Sequence, residues 1–201
     1  MEENIYFYAG GNSIEGLLRR GRQESGVIIT HPHPLYGGDM HNNVVTTITR
    51  AYRTAGWTTL RFNFRGVGGS QGSYDQGRGE QRDVAAAITF LAGLGIGRVD
   101  LAGYSFGAWV NALLQAESPP VGNMIMVSPP LAFLDFTPIG ELDRLRLVIT
   151  GSHDEIAPAD LIRKSISRWN AAARLEVIEG ADHFYGGYQD QLAAVLADYL
   201  K

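Results

Sequence analysis

Gly103-Tyr104-Ser105-Phe106-Gly107 decides the reading of this chain. An apolar run, Val99-Asp100-Leu101-Ala102, leads into it. A helix-like run, Ala108-Trp109-Val110-Asn111-Ala112-Leu113-Leu114, leads out. The order is strand, tight turn, helix, with a serine at the apex. Such a turn lifts the hydroxyl above the end of a sheet and aims a helix N-terminus at it. Glycines two residues either side leave room for a strand and a helix that pass very close. The pentapeptide does not decide alone. The chain holds 25 glycines in 201 residues, and a serine here also serves as an ordinary N-cap for a helix beginning at Phe106.

Outward from the turn, strands and helices alternate. Upstream, Ile5–Tyr8 and Ile14–Arg19 read as two short strands joined by a turn at Gly10-Gly11-Asn12. Gly26–Thr30 is a continuous apolar run, as expected of a strand buried on both faces. A loop from His31 to His41 follows, then a helix over Asn42–Ala55 ended by Gly56. Thr58–Phe64 is a strand, residues 66–77 a Gly/Ser-rich loop, and Glu80–Leu94 a helix with Val84, Ala87, Ile88 and Leu91 on one face. Val99–Tyr104 is the strand before the turn. Downstream, Asn123–Val127, Leu145–Thr150 and Leu175–Ile178 read as strands, and Pro158–Trp169 and Tyr188–Leu200 as helices. This alternation predicts an α/β fold, a mostly parallel sheet with helices on both faces and an antiparallel hairpin at its N-terminal edge. The connection between the strands ending near Ser128 and starting near Leu145 is too short for a cap domain, so the site is expected to be open.

Length and composition predict one domain over residues 1–201. With 45% hydrophobic and 19% charged residues the chain reads as globular. A net charge of −4 without a Lys/Arg cluster argues against nucleic acid as the main partner. No cysteine is present, which excludes disulfides, thiol catalysis and cysteine-based zinc sites. Met1-Glu2-Glu3-Asn4 does not read as a signal peptide, and no stretch reaches the ~20 apolar residues of a membrane span. The expected setting is the cytoplasm, with no membrane partner.

A serine hydroxyl needs a base to take its proton, and the base needs an orienting acid. On a parallel sheet all three come from the carboxyl ends of strands. Asp154 lies just past Leu147-Val148-Ile149-Thr150, in Gly151-x-x-Asp154-x-x-x-Pro158. Alone it reads as a turn or N-cap aspartate, and Asp160 competes with it for a capping role. His183 lies in Gly180-Ala181-Asp182-His183-Phe184, shortly after the last strand, and is one of five histidines. Three weak signals, each after a strand and in the order serine, aspartate, histidine, make Ser105, Asp154 and His183 the candidate triad. An oxyanion hole needs two backbone N–H donors. Phe106 supplies one, at a helix start. The other is expected from His31-Pro32-His33-Pro34-Leu35-Tyr36-Gly37-Gly38. Its prolines have no N–H, which leaves His33 first and Leu35 second.

With these residues assembled, the chain resembles the α/β-hydrolase superfamily over nearly its whole length. It is most similar to small cap-less bacterial hydrolases in the style of dienelactone hydrolases and serine esterases. The resemblance rests on His31-Pro32-His33-Pro34 with Gly37-Gly38, on Asn63-Phe64-Arg65-Gly66-Val67-Gly68-x-Ser70, and on the three triad segments. Dienelactone hydrolases use a cysteine nucleophile, which this chain lacks. The resemblance implies hydrolysis of acyl esters, short-chain ones if the site is shallow, on a small-molecule substrate and without a cofactor. A thioesterase or acyltransferase would use the same triad, and a non-catalytic binding protein could share the scaffold.

Two other chemistries leave weaker traces in the sequence. His31-x-His33 with Asp39, His41, His153 and Asp154 has the flavour of a metal loop, but lacks a His-x-His-x-Asp-His pattern. Imidazoles that hold the loop in place are the preferred reading. Gly66-x-Gly68-Gly69 and Gly93-x-Gly95-x-Gly97 do not complete a nucleotide-binding fingerprint. Tyr36, Phe106, Trp109, Phe133, Phe184 and Tyr185 are candidates for an acyl pocket. Arg65 reads as a structural tie for its loop.

Overall fold

Strands buried on both faces lose the polar alternation of a half-exposed sheet, and the central strands here are buried from end to end, as in Val27-Ile28-Ile29 and Met124-Ile125-Met126-Val127. A computed structural model of the protein describes residues 1–116 and 121–201. In chain order its elements are β1 (Glu3–Ala9), β2 (Asn12–Arg19), β3 (Arg22–Thr30), α1 (Asn43–Thr54), β4 (Trp57–Phe62), α2 (Arg78–Gly93), β5 (Arg98–Tyr104), α3 (Phe106–Ala116), β6 (Met124–Val127), β7 (Leu145–Gly151), α4 (Ala159–Trp169), β8 (Arg174–Ile178) and α5 (Gln189–Tyr199).

Among the described residues, eight strands form one sheet in the order β1-β2-β4-β3-β5-β6-β7-β8. From β3 to β8 the pairings are parallel, while β2 runs antiparallel to β4 and to β1. The antiparallel edge hairpin and the parallel body are as the alternation predicts. After β3 the chain steps outward to β4, then crosses back over β3 to β5. The order therefore reverses at the β3–β5 pair, where a crevice opens at the carboxyl ends of the strands. The loop after β3 and the serine turn after β5 both sit there.

Two apolar layers enclose the sheet. On one face α1 (Val44, Val45, Ile48, Tyr52) and α5 (Leu192, Leu196) pack on Val27, Ile29, Ala102, Ile125 and Ile149. On the other, α2 (Val84, Ala87, Leu91), α3 (Phe106, Val110) and α4 (Ile162, Trp169) pack on Ile28, Leu101, Met124 and Val148. Successive strand residues thus divide between the layers. At roughly 1.5–3 kcal/mol for each fully buried large apolar side chain, these layers supply most of the drive to fold.

Most element ends fall within two residues of the sequence reading, and two differences bear on the loops around the site. The strand expected over Thr58–Phe64 stops at Phe62. Beyond it Phe64 N–H donates to His31 Nε2 at 2.9 Å and Arg65 N–H to Asp83 at 3.1 Å, so the backbone leaves the ladder for side-chain acceptors. β3 begins at Arg22 rather than Gly26, with a register irregularity between the two on the β4 side. Residues 128–144, between β6 and β7, contain no helix or strand, and the fold carries no lid there. Arg65 forms a buried ion pair with Asp83 at 2.7 Å, tying its loop to α2.

Candidate active site

At the end of β5 the backbone turns through Ser105 with φ of 53°, a left-handed conformation that a side chain adopts only under constraint. Ser105 N–H donates to Val127 C=O at 2.9 Å, and its own C=O accepts the N–H groups of Ala108 and Trp109. One side of the residue thus finishes the sheet and the other starts α3. The flanking glycines are required by close approach. A Cβ on Gly103 would lie 2.5 Å from Ala108 Cα, and one on Gly107 would lie 2.6 Å from Thr30 C=O.

The loops after β7 and β8 are zipped to each other. Ser152 N–H donates to Ile178 C=O at 3.0 Å and His153 N–H to Ala181 C=O at 2.9 Å. Ser152 Oγ accepts Gly180 N–H at 2.8 Å. This zip delivers Asp154 and His183 to the same point. His183 Nδ1 is 3.0 Å from both Asp154 oxygens, and its Nε2 is 2.9 Å from Ser105 Oγ. With a carboxylate on one side, Nδ1 carries the hydrogen and donates it. Nε2 is then the acceptor of the Ser105 hydroxyl. Tyr104 O–H donates to His183 C=O at 2.8 Å and its ring lies beside the imidazole, fixing the histidine from below.

Asp154 Oδ1 also accepts the N–H groups of Ile156 and Ala157 at 3.0 and 2.7 Å, and Oδ2 lies 3.4 Å from Thr150 Oγ1. Burial alone pushes this carboxyl up. The His183 hydrogen bond and charge, with the Ala157 N–H and the Ser128 hydroxyl, outweigh it and hold the group below the usual aspartate range. The competing aspartates lie elsewhere. Asp160 is exposed and pairs with Arg163 at 2.8 Å. Asp182 accepts the N–H groups of Phe184 and Tyr185, each at 3.0 Å, as a turn residue.

The loop after β3 packs on the serine turn through the His33 and Phe106 rings, 4.9 Å apart. Leu35 N–H donates to His33 Nδ1 at 3.2 Å, so it is engaged. Among the described residues the N–H groups of His33 and Phe106 make no hydrogen bond. His33 Nε2 is 3.3 Å from Tyr74 O–H, which ties this loop to the Gly-rich loop after β4. His31 is fully buried, with Nδ1 donating to Pro32 C=O at 2.6 Å and Nε2 accepting from Phe64. Burial pulls its pKa down to about 4, against the raising effect of the Pro32 carbonyl. Both nitrogens of His31 are thus committed within the protein. His41 and His153 are exposed. Among the described residues no three His, Asp or Glu side chains converge as a metal-binding group.

A cavity of about 540 Å³ opens above Ser105. Tyr36, Phe106, Phe133 and Phe184 line it, as the list of acyl-pocket candidates anticipates, together with Pro130, Leu134 and Ile156. Two candidates lie outside it. Trp109 Nε1–H donates to Asp135 C=O at 2.9 Å. Tyr185 is fully buried, its hydroxyl 2.8 Å from Ser128 Oγ. Of the wall residues that sequence reasoning missed, Pro130 and Leu134 carry a signal: an apolar loop after β6 where a polar one is expected. Tyr104 carries none, because a tyrosine at a strand end reads as core.

The sequence model of the alpha/beta hydrolase family matches residues 32–200. A protein of Rickettsia prowazekii (strain Madrid E), uncharacterized protein RP471, is 33% identical over 98% of this chain and 87% of its own. The structure of an alpha-beta serine hydrolase homologue from Coxiella burnetii superposes with a TM-score of 0.91 at 33% identity, covering 99% of this chain and 97% of that one. XC6422 from Xanthomonas campestris, described as an a/b serine hydrolase without lid, gives 0.90 at 30% identity over 98% and 92%.

Proposed function

The chain belongs to the alpha/beta hydrolase family, and from that premise we propose that it is a serine esterase acting on small acyl esters through Ser105, His183 and Asp154. One observation carries the reading: His183 bridges Ser105 Oγ at 2.9 Å and Asp154 at 3.0 Å on the floor of an apolar cavity. A neutral imidazole so oriented is a general base for the hydroxyl.

In the proposed reaction Ser105 Oγ attacks the ester carbonyl while His183 Nε2 takes its proton. The carbonyl oxygen gains the negative charge and is met by the N–H groups of Phe106 and His33. The helix dipole of α3 favours charge at the first of these. The C–O bond to the alcohol breaks, and His183 returns the proton to the departing alkoxide. Water then enters, gives a proton to His183 and attacks the acyl carbon. The bond to Ser105 breaks as the proton passes back to Oγ, releasing the acid. Asp154 stays ionised throughout and holds the imidazole in its Nδ1–H form. The cycle draws on side chains and backbone alone, in a cytoplasmic setting.

Loops after β3, β6, β7 and β8 build the wall, and the rim side chains Tyr36 and Phe184 are 74% and 63% exposed. A linear acyl chain that outruns the rim returns to water and gains nothing further from burial. Short esters are therefore expected to be the better substrates. The test is a fluorophosphonate label followed by mass spectrometry. One adduct is expected, on Ser105, and Ser105→Ala is expected to abolish both label and turnover. Label on another serine, or full activity in the variant, would overturn the proposal.

A further inference from the structure

The cavity wall is selective in charge as well as in size. Among the described residues, no lysine, arginine, aspartate or glutamate side chain lines it. Beside the phenols of Tyr36 and Tyr104, its titratable members are His33 and His183. His33 is held below the ordinary histidine range by burial. The ionised carboxylate of Asp154 sits directly behind His183. The guanidinium of Arg65 lies outside the lining and is committed to Asp83. An acyl group bearing its own carboxylate would lose its water here with no cationic side chain to receive it.

The large side chains of the wall are mostly aromatic, beside Pro130, Leu134, Ile156 and the neutral amide of Asn42. Tyr36, from the loop after β3, meets Phe133, from the loop after β6, edge to face at 5.9 Å. Phe184 comes from the loop after β8, and Phe106 from the start of α3. Tyr36, Phe133 and Phe184 are each more than half exposed, so part of each ring remains free for contact. Resting on the esterase reading above, we propose that the preferred substrates are esters of uncharged acids that end in an aromatic ring. A ring packs the same carbon count into less length than a linear chain, so it stays within the rim. Each edge-to-face or offset contact adds a few-fold to about tenfold beyond simple burial.

Four ethyl esters with nine-carbon acyl groups test this, followed by proton release so that no aromatic leaving group confuses the subsite. They are 3-phenylpropanoate, 3-cyclohexylpropanoate, nonanoate and monoethyl nonanedioate. The expected order of kcat/KM is phenyl, then cyclohexyl by a few-fold, then nonanoate. The carboxylate-bearing ester places its charge at the rim, where it loses only part of its water, and is expected several-fold lower than nonanoate. Phe133→Leu, on an exposed side chain, is expected to bring the phenyl ester down to the cyclohexyl one. Ser105 labelled by phosphonate, with the diacid monoester turned over as well as nonanoate or with phenyl no better than cyclohexyl, would overturn this inference and leave the esterase reading intact. An unlabelled Ser105 would overturn both.

Discussion

Asp154 stays ionised although it is buried, because two backbone N–H groups and the His183 ring all donate to it. That fixes the tautomer of His183, and the tautomer is what the proposed chemistry needs. In Asp154→Asn the backbone donors of Ile156 and Ala157 still find an amide oxygen, so the loop is expected to hold. The amide N–H, however, faces His183 Nδ1 and forces the hydrogen onto Nε2, where it opposes the Ser105 hydroxyl. Turnover at neutral pH is expected to fall about 10⁴-fold, with KM and the thermal midpoint little changed. A drop below tenfold would take the acid role away from Asp154. Ser105, Asp154 and His183 are legible in the sequence because each follows a strand, and strand ends are where a parallel sheet gathers its chemistry. Tyr104 and Thr150 are not legible. They lie on the strands themselves, and their hydroxyls acquire partners only once neighbouring loops have closed over them.

At the scale of elements the serine turn is the most constrained feature, because β3, β5 and α3 meet there with no room for a Cβ. Gly107→Ala puts a methyl group against the Thr30 carbonyl, an atom that cannot swing aside. The expected cost is about 1–3 kcal/mol in denaturant unfolding, with a larger loss of turnover because the displaced turn carries Ser105. Gly140→Ala is the control. Nothing lies within 4 Å of a Cβ there, so its stability is expected to stay within about 0.5 kcal/mol of the parent. An equal effect at both sites would mean that close packing is not what the elbow glycines serve. The existence and order of the elements are legible from apolar periodicity. Their ends are less so, and β4 shows why. Phe64 looks like one more strand residue, yet His31 Nε2 captures its N–H. Nothing in the local sequence announces an acceptor that arrives from thirty-three residues away.

Over the whole molecule, alternation and connection rules lead to the sheet and its layers, while the cavity wall stays hidden until the loops after β3, β6 and β8 converge over Ser105. Apart from the first of these, the loops carry no spacing rule. Their rings look alike in sequence whether they end in the wall, as Phe133 does, or under the sheet, as Tyr185 does. At the reversal of strand order His31 is buried against Phe64, just past β4, and this couples the fold to pH. In the folded chain His31 titrates at about 4 rather than 6.5, so between these values the unfolded chain binds the additional proton. Stability from this residue is therefore complete above pH 6.5, falls as pH drops, and is exhausted below about pH 4. The difference is on the order of 3 kcal/mol. Asp154, held below 3.8, acts in the same direction at still lower pH. Asp83 and Asp100, both raised by burial, act oppositely and gain stability as they protonate. The parent curve is thus a composite, and the comparison that isolates His31 is with His31→Gln. Its amide oxygen can still accept from Phe64, and it cannot titrate. In urea unfolding the parent is expected to lose about 3 kcal/mol relative to this variant between pH 7 and pH 4. Parallel curves for the two proteins would mean that His31 is not held neutral by the fold.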